Sequence, residues 1–327
     1  MLGLSFATLD AAYNLALEEH LCTSLPLGHP GLFLLWQNGP SVIVGRHRCT
    51  AEEVDAAQLQ REGIPVIRRM TGGGAVYHDL GNLNFSFICH ARAGEALRPD
   101  FARFLRPVCR ALQDVGVRAS ISGRNDLEVD GRKISGSGQR HVQGRILHHG
   151  TLLVQADFAR MAAVLTPDAA KLRSRGVRSV RSRVGNLADF WQAGTSMDTL
   201  RAALLRHCST GQASLDAQDH AAAAALADAK YRQWSWNHGA SPPFDEERRQ
   251  RFDWGTICLR LSVRQGRIVH CRILGDFFAM ADVEELESLL TGQSREPAHL
   301  RRLLASLDWR HWFVEADPAA MLELFAG

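Results

Sequence analysis

Apolar and polar positions alternate in several short runs along the chain, and elsewhere recur at helical spacing. Residues 2–7 read as a short strand, and Asp10 is placed to cap a helix running to about residue 22. Residues 31–37 and 40–45 are apolar and β-rich, and Asn38-Gly39 between them is a hairpin signal. The pattern then predicts a helix near 50–61, a strand at 64–69, a strand over NLNFSFIC (82–89) and a helix over 98–115. Strands follow at 117–121, 126–129, 132–136 and 146–155, then helices over 157–164, 186–192 and 196–209.

The pattern changes character near 215–245, through an alanine-rich helix and WSWNHGASPPF, where Pro242-Pro243 punctuates the break. Beyond it Ile257, Leu259, Leu261 and Val263 alternate with Cys258, Arg260, Ser262 and Arg264. Gln265-Gly266 turns the chain into a second strand at 267–274, and helices are expected near 281–291 and 296–306. The expected organisation is a large mixed α+β domain at 1–228, a linker at 229–245 and a small α+β domain at 246–327. A chain of 327 residues is long enough for two cores.

Composition removes several function classes. A net charge of +3 is too small for a nucleic-acid-binding face. No apolar run approaches the roughly 20 residues that cross a bilayer. The N-terminal stretch lacks the basic region of a signal peptide, its first Lys or Arg being Arg46. Seven scattered cysteines without a C-x-x-C pair suit a reducing compartment rather than disulfides or structural zinc, so a cytoplasmic location is expected. Of 38 basic residues only Lys133, Lys171 and Lys230 are lysines. In so arginine-biased a chain, a compact ammonium beside Arg132 in a polar stretch stands out.

Three clusters carry candidate chemistry. The first is Arg68-Arg69-Met70-Thr71-Gly72-Gly73-Gly74-Ala75-Val76-Tyr77-His78-Asp79. Three consecutive glycines suit unusual backbone angles or a close approach of backbone to ligand, and bare N–H groups there would suit a carboxylate or phosphate. A plain glycine-rich hairpin with solvated arginines fits the same spacing. The second cluster runs from Ser122-Gly123-Arg124-Asn125-Asp126 to Lys133-Ile134-Ser135-Gly136-Ser137-Gly138-Gln139-Arg140, and the third is His148-His149-Gly150-Thr151. Asn125 and Asp126 suit a nucleotide or magnesium, and Lys133 suits two neighbouring anions. Taken singly, Asp126 reads equally as a turn residue, and the histidines as a strand pair with one ring buried.

Together, RRMTGGGAVYHDLGNLNFSF, SGRNDLEVDGRKISGSGQR, LHHGTLLV and RSVRSRVGNL resemble the lipoate-protein ligase family, in the family's order and over most of residues 10–190. The stretch from WSWNHG onward is similar to the accessory domain of its long, single-chain members. The resemblance implies a biotin/lipoate ligase-like mixed sheet core flanked by helices. It implies an ATP- and Mg2+-dependent enzyme that converts lipoate to lipoyl-AMP and transfers the acyl group to a lysine of an acceptor. That acceptor would be a 2-oxoacid dehydrogenase E2 lipoyl domain or the glycine-cleavage H protein. By the same resemblance Lys133 would contact the lipoate carboxylate and the adenylate phosphate. Arg69, Thr71, Gly72, Gly73, Gly74 and His78 would line the lipoyl pocket, with Trp36 as an apolar wall. Arg140 and His149 would flank the adenylate. Asn125, Asp126 and Thr151 would serve ATP, together with Gly74, and Asp126 would hold magnesium. A monomer is expected.

One stretch departs from the family pattern: Gly45-Arg46 is followed by His47-Arg48-Cys49 where Gln-Asn is usual. Three other readings remain. An octanoyl or lipoyl amidotransferase of the same fold would use a cysteine nucleophile, but no cysteine lies between Cys109 and Cys208. A biotin-protein ligase would carry an arginine-rich glycine loop, absent here. A non-catalytic lipoate-binding descendant would retain the pocket without turnover.

Overall fold

The computed structural model describes residues 1–91, 99–166, 184–238 and 244–327. Lys171, Pro242-Pro243 and residues 178–183 of the fourth motif lie outside the described residues.

Strands β1 (Leu2–Ser5), β2 (Leu32–Trp36), β3 (Ser41–Val44), β4 (Val66–Arg68), β5 (Val76–His78) and β6 (Asn82–His90) precede the helix Phe101–Asp114. After it come β7 (Ser120–Ser122), β8 (Asp126–Val129), β9 (Arg132–Val142), β10 (Arg145–Leu153) and the short β11 (Gly211–Gln212). An eight-stranded mixed sheet runs β11-β1-β2-β6-β10-β9-β8-β7, and a three-stranded sheet runs β4-β3-β5.

Residues alternate between the faces of the large sheet, and this sorts its core. Phe33, Leu35, Phe85 and Phe87 pack with the helix Phe101–Asp114 on one face. Leu32, Leu34 and Trp36 pack with helix α1 (Ala11–Ser24) on the other. Asp10 caps α1 as expected, its carboxylate accepting from the Ala12 and Tyr13 amides.

The helix expected over 186–192 is only the 3-10 turn Leu187–Asp189, and two further expectations fail for physical reasons. Asn38-Gly39 does not close a hairpin, because β2 and β3 belong to different sheets. Asn38 is fully buried and bonded to Asn14 and His78, and the Gly39 amide donates to Leu9 O. Asn38 therefore anchors a crossing between sheets. The helix expected near 50–61 breaks into Thr50–Glu53 and Ala56–Glu62, because Asp55 caps the second piece while Val54 stays extended and bridges Leu165. Between 132 and 155 the strands run longer than expected. Glycines 136 and 138 sit inside β9, and the chain turns at Gln143-Gly144, both left-handed with φ of 49° and 74°.

The C-terminal part holds a third sheet of β12 (Glu246–Phe252), β13 (Gly255–Arg264) and β14 (Arg267–Gly275), covered by helices Val283–Leu290, Pro297–Leu304 and Pro318–Ala326 over a core of its own. β12 escaped the sequence pattern because EERRQRF is polar on an outer strand.

This part docks directly on the glycine loop. His47 stacks on Phe277 at 4.8 Å, and the Gly275 amide donates to His47 O. Arg46 pairs with Asp282 and Glu284, and Arg140 with Asp282. Gly72 lies so close that an added Cβ would overlap the Phe277 carbonyl oxygen. Gly72→Ala is therefore expected to push residues 275–278 away, at about 1–3 kcal/mol. Limited proteolysis should show faster cleavage around 275–282 than in the parent chain.

Candidate active site

The face of the large sheet that carries Trp36 also forms the floor of the site. Trp36, Asn84, Thr151, Gly136 and Asp126 are paired neighbours on the consecutive strands β2, β6, β10, β9 and β8. A second row two residues along holds Leu34, Ser86, His149 and Gly138. Four strand spacings make this floor ~19 Å long. Over it lies a cavity of about 330 Å3, walled on the far side by Gly73, Gly74 and His78.

Lys133 stands at one end. Its ammonium is 2.7 Å from Asp126 Oδ1 and would be 2.9 Å from a Cβ at Gly136, so the missing side chain at 136 is what makes room for it. Asn125 is held by Ser137: its Nδ2 donates to Ser137 O at 2.6 Å, and Ser137 Oγ donates back to Asn125 O at 2.8 Å. Thr151, Asn125 and Lys133 all line the cavity.

The glycine loop is braced from behind. Gly73 has φ of +94°, and a Cβ at Gly45 would overlap its carbonyl oxygen. Arg69 donates to Ile43 O (3.1 Å), Gly72 O (2.6 Å) and Thr71 Oγ1 (3.1 Å). Burial lowers its guanidinium pKa to about 10, opposed by the carboxylates of Glu53 and Glu18. Arg68 looks like loose positive charge in the sequence, yet its side chain is fully engaged. It donates to the carbonyls of Gly45, Arg46, Arg48, Trp236 and Asn237 and to Thr50 Oγ1. Residues 234–238, inside the expected linker, are thereby tied to the core.

A buried relay joins the apolar wall to this loop. Trp36 Nε1 donates to Ser86 Oγ at 2.9 Å, and Ser86 donates to Glu18 at 2.6 Å. The Glu18 carboxylate sits 2.8 Å from His149 Nδ1, and His149 Nε2 is 2.7 Å from Thr71 Oγ1. The ionised Glu18 carboxylate can only accept, so His149 Nδ1 donates to it. Glu18→Ala would leave His149 Nδ1 and the Ser86 hydroxyl unpaired, at a cost of about 1–3 kcal/mol. Denaturant unfolding should show that loss, and Glu18→Gln should show a smaller one.

His78 is buried and neutral, its pKa lowered to about 3 by desolvation, with Arg69 and His149 adding to the effect.

Of the residues singled out in the sequence, Trp36, Arg69, Gly73, Gly74, His78, Asn125, Lys133, His149 and Thr151 meet around this one cavity. Asp126 adjoins it through Lys133, and Thr71 lies behind Arg69. Gly72 and Arg140 do not line it. They face a second, polar cavity of about 260 Å3 beside His47 and Asp282. Arg140 is drawn there by its ion pair with Asp282 and by its bond to Met70 O. Sequence reasoning missed Glu18, Ser86, Asn84 and Glu53. Glu53 pairs with Arg48 and accepts from the Ala75 amide at 2.9 Å. Asn84 and Ser86 fall inside the first motif and on the polar side of its strand alternation without being singled out there, and no local pattern marks Glu18 or Glu53. Glu18 differs from Glu19 only in which side of α1 it occupies.

No cysteine lines the cavity, and burial raises the thiol pKa of Cys22 and of Cys208 to about 12. A cavity with apolar side chains (Leu15, Trp36, Ile43) at one end and an ammonium facing a glycine loop at the other is the layout of an enzyme that activates an acyl chain.

Known proteins agree. Residues 10–209 match the family described as lipoyl protein ligase A/B catalytic domain, and residues 241–325 match the bacterial lipoate protein ligase C-terminus. The chain is 38% identical over 322 residues to the lipoate-protein ligase LplJ of Bacillus subtilis, covering 96% of each. A crystal structure of lipoate-protein ligase A bound with ATP superposes with a TM-score of 0.61 at 29% identity, over 73% of this chain and 97% of that one. The fold also matches P. falciparum LipL1, with a TM-score of 0.80 at 22% identity over 98% and 97% of the two chains. The chain belongs to the lipoate-protein ligase family.

Proposed function

We propose that the cavity holds lipoate and ATP end to end, with Lys133 at their junction. Attack of the lipoate carboxylate on the ATP α-phosphate releases pyrophosphate and leaves lipoyl-AMP. An acceptor lysine then attacks the acyl carbon, and AMP departs. A carboxylate and a phosphate repel each other, so the protein's task is to align two anions and neutralise them. The observation that carries this reading is the placement of the Lys133 ammonium in the same cavity as Gly73 and Gly74.

In this reading Trp36, Arg69, His78 and His149 contact the acyl part. Asn125, Thr151 and Gly74 contact the nucleotide. The apolar side chains that line the cavity, among them Leu153, Met161 and Val184, keep water from the mixed anhydride. Magnesium is typically held by one or two carboxylates and substrate phosphate oxygens while keeping several waters. Asp126, mostly buried beside Lys133, suits that role, and among the described residues no cluster of three or more His, Cys, Asp or Glu would hold a metal alone. The ion would then arrive with ATP and offset phosphate charge.

We further assign residues 1–228 to catalysis, 229–245 to a connection and 246–327 to an accessory module, in a cytoplasmic monomer. The acceptor is a lipoyl-domain or H-protein lysine. Incubation with ATP, Mg2+, lipoate and a panel of apo acceptors, read by acceptor mass, tests this. The expected result is one lipoyl addition on at least one acceptor. Unmodified acceptors across the panel would contradict it.

A further inference from the structure

The apolar end of the cavity holds two polar side chains, each with one buried nitrogen that has no partner in the protein. Asn84 is 1% exposed and lines the cavity. Its Oδ1 accepts from Asn82 at 3.0 Å, while its Nδ2 has no partner. His78 also lines the cavity, and its Nε2 is buried and unpaired. The proton position on His78 follows from its neighbours. Asn14 donates to Asn38 Oδ1, so Asn38 Nδ2 donates to His78 Nδ1, and the single proton of the neutral ring sits on Nε2. The site therefore presents N–H donors from two side chains where a purely hydrocarbon tail would offer no acceptor.

Leaving a buried donor unpaired is unfavourable, so natural structures rarely do so without a reason. The location supplies one. Asn84 lies two strands from Gly136, over which the Lys133 ammonium sits, or ~10 Å across the sheet. With its carboxylate at Lys133, lipoate would lay its pentanoyl chain over Thr151 and bring its dithiolane ring above Asn84, against the neighbouring Trp36. Sulfur is polarizable and a weak hydrogen-bond acceptor.

We infer that Asn84, assisted by His78, is a specificity residue that recognises the ring sulfurs and sets the preference for a sulfur-bearing acyl chain over a plain fatty acid. This rests on the lipoate reading above. A straight eight-carbon acid fits the same trough but leaves both donors unpaired. Sites that offer buried donors discriminate against analogues that lack the acceptor more strongly than apolar pockets discriminate by size.

The test measures ATP–pyrophosphate exchange by the full chain across lipoate and octanoate concentrations, for the parent and for Asn84→Leu and Asn84→Ala. Thermal unfolding identifies the variants that keep the fold. The parent should favour lipoate in kcat/KM. Both variants should lose about tenfold in the lipoate-to-octanoate ratio, chiefly through KM for lipoate. A parent that uses both acids equally, or a folded variant whose ratio is unmoved, overturns the proposal. Exchange with neither acid in the parent overturns the lipoate reading itself and this inference with it.

Discussion

Lys133→Ala is expected to lower lipoate-dependent pyrophosphate exchange about a thousandfold while the chain stays folded. The ammonium is the cation placed to bridge two anions between the strand floor and the glycine loop, and it is held there by Asp126 at 2.7 Å. Its removal leaves repulsion between carboxylate and α-phosphate unscreened at the moment the bond forms. The fold should survive, because the Lys133 side chain is one-third exposed and is held by that ion pair rather than by the core. Lys133→Arg should fare little better. The space over Gly136 fits a compact ammonium, and a planar guanidinium would pair with Asp126 through two bonds and withdraw from the cavity. Exchange assays with matched unfolding curves check both variants. A rate near that of the parent chain in either would remove Lys133 from the reaction.

Acidification to pH 5.5 is expected to destabilise the chain by roughly 4 kcal/mol relative to pH 7.5, through three buried histidines. Burial is the main cause of the lowered pKa at His47, His78 and His148. The charges of Arg46 and Arg140 add to it at His47, that of Arg69 at His78, and that of His149 at His148. His148 is walled by the rings of Phe85, Phe87, Phe101 and Phe104. In the unfolded chain each imidazole takes a proton near pH 6.5, whereas in the folded chain it does not. The unfolded state therefore binds more protons as pH falls, and stability drops below about pH 6.5 by about 1.4 kcal/mol per unit per group. The loss continues toward about pH 3, where His78 protonates in the folded state. Denaturant unfolding at both pH values checks the slope. His148→Phe should remove about a third of it, and a flat profile between pH 7.5 and 5.5 would contradict the assignment.

The two predictions separate what the sequence displays from what it conceals. The glycine loop, Lys133 and the His148-His149 pair are legible because each needs an unusual residue type at a fixed local spacing. The alternation of β10 even predicts that one histidine faces the core and the other does not, and the structure puts His148 among phenylalanines and His149 at the cavity. Glu18 and Asn84 are not legible in this way. Their roles arise from pairing across strands and from a helix packed on the sheet, contacts between residues far apart in sequence. Ser86, for example, meets a carboxylate 68 positions away.

Partial legibility produced the misplacements as well. Gly72 and Arg140 belong to motifs that surround the cavity, but each also sits at the contact with residues 277–282, and that contact decides where they point. Asn38-Gly39 carries a turn signal, yet the buried bonds of Asn38 to Asn14 and His78 override it. The unusual His47-Arg48-Cys49 stretch reads locally as a pocket change. In the structure its histidine instead stacks on Phe277, while Arg48 pairs with Glu53 at the cavity wall.

In the proposed reaction one cavity joins an acyl carboxylate to the α-phosphate of ATP. Isotope exchange between pyrophosphate and ATP, run with the purified chain and Mg2+ and no acceptor protein, tests it most directly. Exchange should be absent without lipoate and should saturate as lipoate is added. Lipoate-independent exchange, or none at any lipoate concentration while an acyl thioester still modifies an acceptor, would contradict it.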